Sequence, residues 1–239
     1  MIESNDRRSN GMNKIFVIGD IHGAYRALRQ CLERSHFDYK NHHLICLGDV
    51  SDGWPETKAC IDELLKIKNL TYLLGNHDFW TLHWMKTGNA PSDWLSQGGE
   101  ATVKSYRDGI PQEHMDFLNR ALPYFLLNNK LFVHAGIDPL QSLEQQDLNT
   151  LLWDRNLAAR ALDSYAKKIP EKLTEYDEVY IGHTPTSFKH PVCSCGVWLM
   201  DTGAGWSGVL SMMDINSKNT YITDTVPELY PGVIGRMPR

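Results

Sequence analysis

Long apolar runs are missing from this sequence of 239 residues. None approaches the ~20 consecutive apolar residues that a helix needs to cross a bilayer. The first stretch, residues 1–14, is polar and charged and does not resemble a signal peptide. We therefore expect no membrane partner and a cytoplasmic location.

Basic residues are fewer than acidic residues. The sequence has 24 Lys and Arg against 29 Asp and Glu, which gives a net charge of −5. No stripe of Lys and Arg stands out against this average. Because nucleic-acid binding relies on basic surfaces that neutralise phosphates, we expect no nucleic-acid partner.

Cysteine is sparse and irregularly spaced. The five cysteines are Cys31, Cys46, Cys60, Cys193 and Cys195. Their spacing matches neither a zinc ribbon nor a secreted disulfide scaffold, so reduced thiols are the default prediction. Cys193 and Cys195 form one close pair without a second pair, and we assign them no role.

The sequence does contain enough apolar material for one large core, since 42% of its residues are hydrophobic. We predict a single domain over residues 14–239, preceded by a loose polar tail at residues 1–13. The segment at about 79–122 is rich in Trp and has helical character with Pro and Gly breakers. We interpret it as a helical insert that borders the functional site.

Strand and helix patterns alternate in the first third of the chain. Apolar runs predict buried strands at 15–18, 44–47 and 70–74, and helical periodicity predicts helices at 24–34 and 56–67. This alternation predicts a parallel sheet, and parallel sheets bind ligands at the carboxyl ends of their strands.

The second half has a different pattern. We predict a hairpin over 124–134 and a helix over 157–168. Short apolar runs separated by turn residues follow at 179–181, 197–200, 208–213 and 221–223. We expect these later strands to be antiparallel.

Four short segments flanked by Gly carry metal-binding side chains just after predicted strands. They are Gly19-Asp-Ile-His-Gly23, Gly48-Asp-Val-Ser-Asp-Gly53, Gly75-Asn-His-Asp78 and Gly182-His-Thr184. Any one Asp or His is more often a loop or core residue. Together, four such segments at strand ends predict a two-metal hydrolase.

The candidate ligands divide between two ions. Asp20 and His22 are two residues apart and can bind one ion together. Asp49 has two carboxylate oxygens and can bridge both ions. The second ion's remaining ligands could be Asn76, His134 and His183. Oxygen and imidazole donors suit Mn²⁺, Fe, Zn²⁺ or Mg²⁺, and we take Mn²⁺ as the first choice.

The order of these motifs, with His134-Ala-Gly136 before Gly182-His-Thr184, resembles the calcineurin-like metallophosphoesterases, within them the phosphoprotein phosphatase branch. The segments Trp153-Asp-Arg155, Gly182-His-Thr-Pro185 and Asp201-Thr-Gly-Ala204 further resemble bacteriophage lambda-type serine/threonine phosphatases and symmetrical diadenosine tetraphosphatases. The resemblance covers about residues 15–215. It implies an α/β fold, a two-sheet β sandwich flanked by helices.

The resemblance also implies a mechanism. A hydroxide shared between two cations bridged by Asp49 would attack phosphorus in line. His77 would protonate the leaving oxygen, and Asp52 would orient its imidazole. Asn76 and Arg155 would bind the phosphate, Arg155 as a planar bidentate clamp. A surface ion pair is the competing interpretation of Arg155.

The sequence departs from the family pattern at two arginines, whose positions are occupied by Gly53 and Leu74. Their loss should weaken phosphate binding more than water activation. We favour a phosphatase that hydrolyses monoesters, of the serine/threonine or tyrosine protein phosphatase kind, acting on a phosphorylated protein, peptide or small phosphoester.

Three alternatives stay open. The first is a symmetrical dinucleoside polyphosphate hydrolase, and the second is a catalytically silent module that binds metal and phosphate. A nuclease-like phosphodiesterase is the least favoured, because the sequence has no basic groove signature. Trp54 and Trp206 could stack on a substrate ring, although core packing is the interpretation we favour for most of the tryptophans.

Overall fold

A computed structural model describes residues 14–236, and the predicted tail at residues 1–13 lies outside this range. The strands are β1 Ile15–Ile18, β2 His43–Cys46, β3 Asn69–Tyr72, β4 Tyr124–Leu127, β5 Lys130–Val133, β6 Glu178–Ile181, β7 Val192–Ser194, β8 Val197–Leu199, β9 Ser211–Asp214 and β10 Thr220–Ile222. The helices are α1 Tyr25–Arg34, α2 Thr57–Leu64, α3 Asn76–Thr87, α4 Ser92–Trp94, α5 Glu100–Ser105, α6 Gln112–Asn119, α7 Leu148–Trp153, α8 Asn156–Lys167 and α9 Val226–Leu229. Within the described range, no helix has the length and apolar character of a membrane span.

The first sheet has the strand order β10-β9-β1-β2-β3. Its centre is parallel, with Ile15 opposite His43 and His43 opposite Asn69. The predicted parallel arrangement of β1, β2 and β3 is therefore confirmed. As a result, the loops that follow these three strands emerge at one edge of the sheet.

The second sheet has the order β4-β5-β6-β8-β7. The expectation that the later strands are antiparallel is right for β9 and β10 but wrong for β6 and β8, which run parallel to β5 and β6 respectively. A parallel pair needs a long crossover connection, and α7 and α8 supply it between β5 and β6. The short strand β7 was not predicted.

The two sheets pack face to face through alternate residues of their strands. In β1, Val17 faces the second sheet, whereas Phe16 and Ile18 face the helices of the first sheet. The core between the sheets consists of Val17, Ile45, Leu47, Leu73, Phe132, Tyr180, Met200, Met213 and Ile215. The predicted two-sheet sandwich flanked by helices is confirmed.

Helices α3 to α6 fill the chain between β3 and β4. Tyr106, Phe117 and Leu118 from this segment are buried in the same apolar cluster as the helix-facing side chains of β1 and β2. The segment is thereby held against the first sheet, beside the loops that leave its carboxyl edge. This position allows the segment to supply hydrogen-bond donors to Asp52.

One charged cluster holds the outer part of the second sheet together. Glu178 in β6 accepts hydrogen bonds from Tyr180 and Trp198, and it pairs with Lys130 and Lys218. Burial alone would raise the pKa of Glu178, but these four donors outweigh burial and lower the pKa to about 2.

Replacing Glu178 by Gln should therefore destabilise the fold most at neutral pH. The folded carboxyl has its pKa at about 2 against an ordinary 4.5, so its contribution is present above 4.5 and is lost as the pH falls towards 2. For this partly exposed group we expect a loss of roughly 1–2 kcal/mol at pH 7 and a smaller one at pH 3, measured by urea unfolding. Glu100→Gln, on an exposed helix face, is the control. Equal losses at both pH values would contradict the assignment.

Candidate metal and phosphate site

Eight of the nine predicted site residues come from five loops, each at the carboxyl end of a strand; Arg155 lies between α7 and α8. Asp20 and His22 follow β1, Asp49 and Asp52 follow β2, and Asn76 and His77 begin α3 after β3. His134 follows β5 and His183 follows β6. All eight side chains are buried, with at most 7% of the residue exposed. The structure therefore brings both sheets' loops to one point.

The candidate ligands fall into two groups that share one carboxylate. Asp20, His22 and Asp49 form one group, and Asp49, His134 and His183 form the other, each with ligand atoms within 4.8 Å of one another. Asp49 Oδ2 lies 3.8 Å from His22 Nε2 and 3.5 Å from His134 Nε2. This position between the groups is the one expected of a bridging ligand.

The hydrogen bonds of two imidazoles fix which nitrogen faces the carboxylates. His22 Nδ1 lies 2.9 Å from the carbonyl oxygens of Ser51 and Asp52, and His134 Nδ1 lies 2.8 Å from that of Leu47. A carbonyl can only accept, so each Nδ1 carries the proton and each Nε2 presents a lone pair. The His134 lone pair lies beside oxygens of Asp49 and Asn76, and the His22 lone pair lies beside oxygens of Asp20 and Asp49 and 3.3 Å from Arg236 Nη1. Positive charge stabilises both arrangements.

Atoms without partners lead to the same conclusion. Asp20 Oδ1 and His183 Nε2 are buried and have no hydrogen-bond partner within the described chain. Asn76 Oδ1 lies 3.0 Å from His134 Nε2 and 2.9 Å from His183 Nδ1. Buried polar atoms are rarely left unsatisfied. The donor set of oxygen and imidazole nitrogen therefore fits divalent cations.

Electrostatics also favour cations at this point. Burial, followed by the neighbouring charge of Asp201, raises the pKa of Asp20, and burial followed by Asp78 raises that of Asp49. Burial lowers the pKa of His134 to about 4 and that of His183 to about 2. The imidazoles are therefore neutral and able to act as ligands, whereas the carboxylates need positive charge to ionise.

The loops hold their ligands in unusual backbone conformations. His22, Asp49, Asp52 and His183 all have φ between 51° and 67°, in the left-handed region that non-glycine residues seldom occupy. Such strain persists only where surrounding contacts fix it, and it clusters at functional sites. Gly182 meets a second constraint, because a Cβ there would lie 2.0 Å from Asp20 Oδ1.

Asp78 supplies many of the contacts that fix these loops. Its carboxylate accepts hydrogen bonds from the N–H groups of Asp49, Val50, Ser51 and Gly75 and from the hydroxyls of Ser51 and Tyr72. It lies in the first turn of α3, where a negative charge is favourable. Asp78 therefore ties the loop after β2 to the loop after β3.

His77 and Asp52 form a hydrogen-bonded pair beside the candidate ligands. His77 Nδ1 lies 2.8 Å from Asp52 Oδ2, so the carboxylate orients the ring. Asp52 also accepts from Trp94 Nε1 at 2.6 Å and from Thr102 Oγ1 at 2.7 Å. Burial raises the pKa of Asp52 to about 7, and burial lowers that of His77.

A cleft of about 250 Å³ opens beside the ligands, and His22, Asp49 and His183 contribute to its lining. Asn76, His77 and Arg155 line it, together with Trp206 and Arg236. The guanidinium of Arg155 is exposed and forms no hydrogen bond or ion pair within residues 14–236. Within this range, the structure contains no ion pair that would support the competing interpretation of Arg155. A larger cavity of about 810 Å³ near Arg160 contains none of the predicted site residues.

Sequence reasoning missed several residues of this site. Trp94 and Thr102, which hold Asp52, lie in the helical segment and follow no strand motif. Arg236 lies far along the chain and gave no signal at all. One expectation about a substrate platform is wrong: Trp54 is 1% exposed, stacks on Tyr230 and donates to a backbone carbonyl, so it is a core residue.

Comparison with known proteins agrees with this geometry. The family model described as calcineurin-like phosphoesterase matches residues 13–205. The chain belongs to this family. It is therefore a hydrolase of phosphoric esters, and the enzymes of this family use divalent metals.

The relatives of this chain are named for two different activities. The chain is 27% identical to serine/threonine-protein phosphatase 1 of Salmonella typhimurium, covering 84% of this chain and 91% of that protein. It is 25% identical to a symmetrical bis(5'-nucleosyl)-tetraphosphatase of Cellvibrio japonicus, covering 83% and 94%. The crystal structure of a protein assigned as a diadenosine tetraphosphatase matches with a TM-score of 0.66 at 19% identity, covering 90% of this chain and 94% of that one. The predicted resemblance is confirmed.

Replacing Asp78 by Asn should destabilise the fold and loosen the site. The amide nitrogen would face donors that now bond to a carboxylate, so several buried N–H groups would lose their acceptor. We expect a loss of roughly 2–4 kcal/mol in the free energy of unfolding, measured with urea. Asp108→Asn, at an exposed position, is the matched control. A stability equal to wild type would rule out this role for Asp78.

Proposed function

We propose that this protein is a metal-dependent phosphatase that hydrolyses phosphate monoesters, most closely of the serine/threonine or tyrosine protein phosphatase kind. The observation that carries the proposal is the His77–Asp52 pair at 2.8 Å, placed in the same cleft as both groups of candidate ligands. A module that only bound metal and phosphate would have no use for an oriented proton donor.

Two divalent ions, with Mn²⁺ the first choice, are proposed as cofactors. Asp20, His22 and Asp49 would hold one, and Asp49, Asn76, His134 and His183 would hold the other. When bound, such ions lower the pKa of water and neutralise phosphate charge. We retain the cytoplasmic location as a prediction.

His77 is proposed as the general acid. Because Asp52 binds Nδ1, the other ring nitrogen is available to the cleft. The Asp52 carboxylate and a bound phosphate dianion would both favour the imidazolium form. His77 could then give the Nε2 proton to the leaving oxygen as the P–O bond breaks. Trp94 and Thr102 would keep Asp52 in position for this step.

The phosphate would be held at the mouth of the cleft. Arg155 has an unpaired guanidinium there, able to form two parallel hydrogen bonds with phosphate oxygens. The amide of Asn76, between the two imidazoles, is proposed to bind phosphate as well as metal. Both residues lie beside His77, so a bound phosphate would face the proposed acid.

The size of the cleft favours a monoester. Its volume of about 250 Å³ is below the range of roughly 300–1,000 Å³ that is usual for whole small-molecule ligands. A phosphoryl group with a short attached chain, such as a phosphorylated side chain, suits this volume. The rest of a peptide could lie outside the cleft.

One observation favours the dinucleotide alternative. A groove of about 600 Å³ that includes Phe188 adjoins the cleft, sharing Pro185 and Trp206 with it. This groove has apolar walls that could receive a nucleoside. Symmetrical dinucleoside polyphosphate hydrolysis is therefore the second candidate.

The deciding experiment measures hydrolysis with Mn²⁺ of a phosphoserine peptide, a phosphotyrosine peptide and diadenosine tetraphosphate in parallel. Inorganic phosphate is the product from the peptides and ADP is the product of symmetrical cleavage of the dinucleotide, and the products are separated by chromatography. We expect the highest kcat/KM with a phosphopeptide. Asp49→Asn is the blank, because a neutral amide with one oxygen cannot bridge two cations as a carboxylate does. A preference for the dinucleotide would select the alternative. Absence of metal-dependent turnover on all three would select the silent module.

Replacing His77 by Asn tests the acid directly. Its loss should lower kcat roughly 10²- to 10⁴-fold for a phosphoserine peptide, whose leaving group needs a proton. The loss should be much smaller for p-nitrophenyl phosphate, whose leaving group does not. Steady-state kinetics with both esters measure this difference, and the Mn²⁺ content of the variant is the control. Equal losses on both esters would contradict the proposed role.

A further inference from the structure

Arg236 enters the catalytic cleft from a segment with no motif. It lies after α9, among the last described residues, and lines the cleft together with His77 and Arg155. Its Nη1 lies 3.3 Å from His22 Nε2. Its guanidinium carbon lies 4.6 Å from the centre of the Trp206 ring, a cation–π contact that fixes its position.

This guanidinium has unused hydrogen-bonding capacity. Its Nε is buried and has no partner within the described chain. It forms no ion pair there either, although it faces the charges of Asp49 and Asp201. A half-buried arginine that has five N–H donors and uses one of them on His22 Nε2 retains donors for an anion in the cleft.

The side chain of Arg236 packs against two glycines beside the cleft. A Cβ at Gly53 would lie 3.3 Å from Cγ and Cδ of Arg236, and φ at Gly53 is 118°. A Cβ at Gly98 would lie 3.1 Å from Arg236 Cγ and 2.7 Å from the nitrogen of Gly53. A larger residue at either position would therefore crowd the Arg236 side chain, which the two glycines leave free to extend into the cleft.

From these contacts we infer that Arg236 is a phosphate-binding residue, which acts together with Arg155 to bind the phosphoryl group in the cleft. The inference rests on the proposed function for its substrate class. It explains how the chain can bind phosphate with Gly53 at a position where the sequence lacks an arginine. Trp206 then serves as a support for Arg236 and not as a platform for a substrate ring.

The competing interpretation is that Arg236 occupies the site as a substitute for a metal ion. This interpretation is supported by the distance of 3.3 Å between Arg236 Nη1 and His22 Nε2, because His22 Nε2 is a candidate ligand atom. The two interpretations differ in what removal of the guanidinium does. A phosphate clamp is needed for anion binding, whereas a substitute cation competes with Mn²⁺.

The test uses the full chain loaded with Mn²⁺ and compares wild type, Arg236→Ala, Arg236→Lys and the exposed control Arg107→Ala. Binding of inorganic phosphate is measured by calorimetry, and Mn²⁺ affinity is measured separately. We expect Arg236→Ala to weaken phosphate binding roughly 10- to 100-fold with Mn²⁺ affinity unchanged. Arg236→Lys should recover only part of the affinity, because an ammonium cannot bind in the bidentate mode.

Either of two outcomes overturns the inference. One is phosphate binding by Arg236→Ala equal to that of wild type, and the other is tighter Mn²⁺ binding with higher turnover, as the substitute cation predicts. An unfolding temperature equal to that of wild type verifies that the variant is folded. Failure of the proposed function would look different: wild type would turn over no ester, yet its phosphate binding would still depend on Arg236.

Discussion

The concentration of like charge at the carboxyl edges of the two sheets is the constraint to which the rest of the site responds. Five carboxylates are buried there, namely Asp20, Asp49, Asp52, Asp78 and Asp201. Burial raises the pKa of each of them. Such groups can be ionised together only if hydrogen-bond donors or cations surround them. Some of these carboxylates are stabilised by hydrogen-bond donors of the protein, and others are left for a cation to stabilise.

Asp52 and Asp78 are satisfied by the protein itself. Asp78 collects donors from the loops after β2 and β3, and Asp52 collects them from Trp94, Thr102 and His77. Asp20, in contrast, keeps an oxygen without a partner. Asp52 and Asp78 therefore use their oxygens to hold protein groups in place, whereas Asp20 retains a buried oxygen that a cation could bind.

The sequence predicted the features that depend on neighbouring residues and missed the contacts between segments that lie far apart along the chain. The strands β1 to β3, their parallel order and the eight buried site residues follow from apolar runs that end in short Gly-flanked loops, where each motif contains both its strand end and its ligand. The directions of β6 and β8 were predicted wrongly, because strand direction depends on the connection before each strand, α7 and α8 before β6 and the segment with β7 before β8, and not on the strand's own residues. Trp94 and Arg236 reach the site from segments that carry no motif, so only the folded chain brings them there.

The candidate ligands and the wall of the cleft come from different parts of the chain. The candidate ligands all lie on strand-end loops, held by strained backbone and by Asp78, so their positions tolerate little change. The cleft wall is built differently, from Arg155 before α8, Trp206 in a loop and Arg236 after α9. A substitution of Arg155, whose guanidinium has no partner within the described residues, would alter the wall without disturbing the ligands, whereas Arg236 also lies 3.3 Å from His22 Nε2. In such a structure the sheet edges determine where the candidate ligands lie, and later segments of the chain determine the shape of the space beside them.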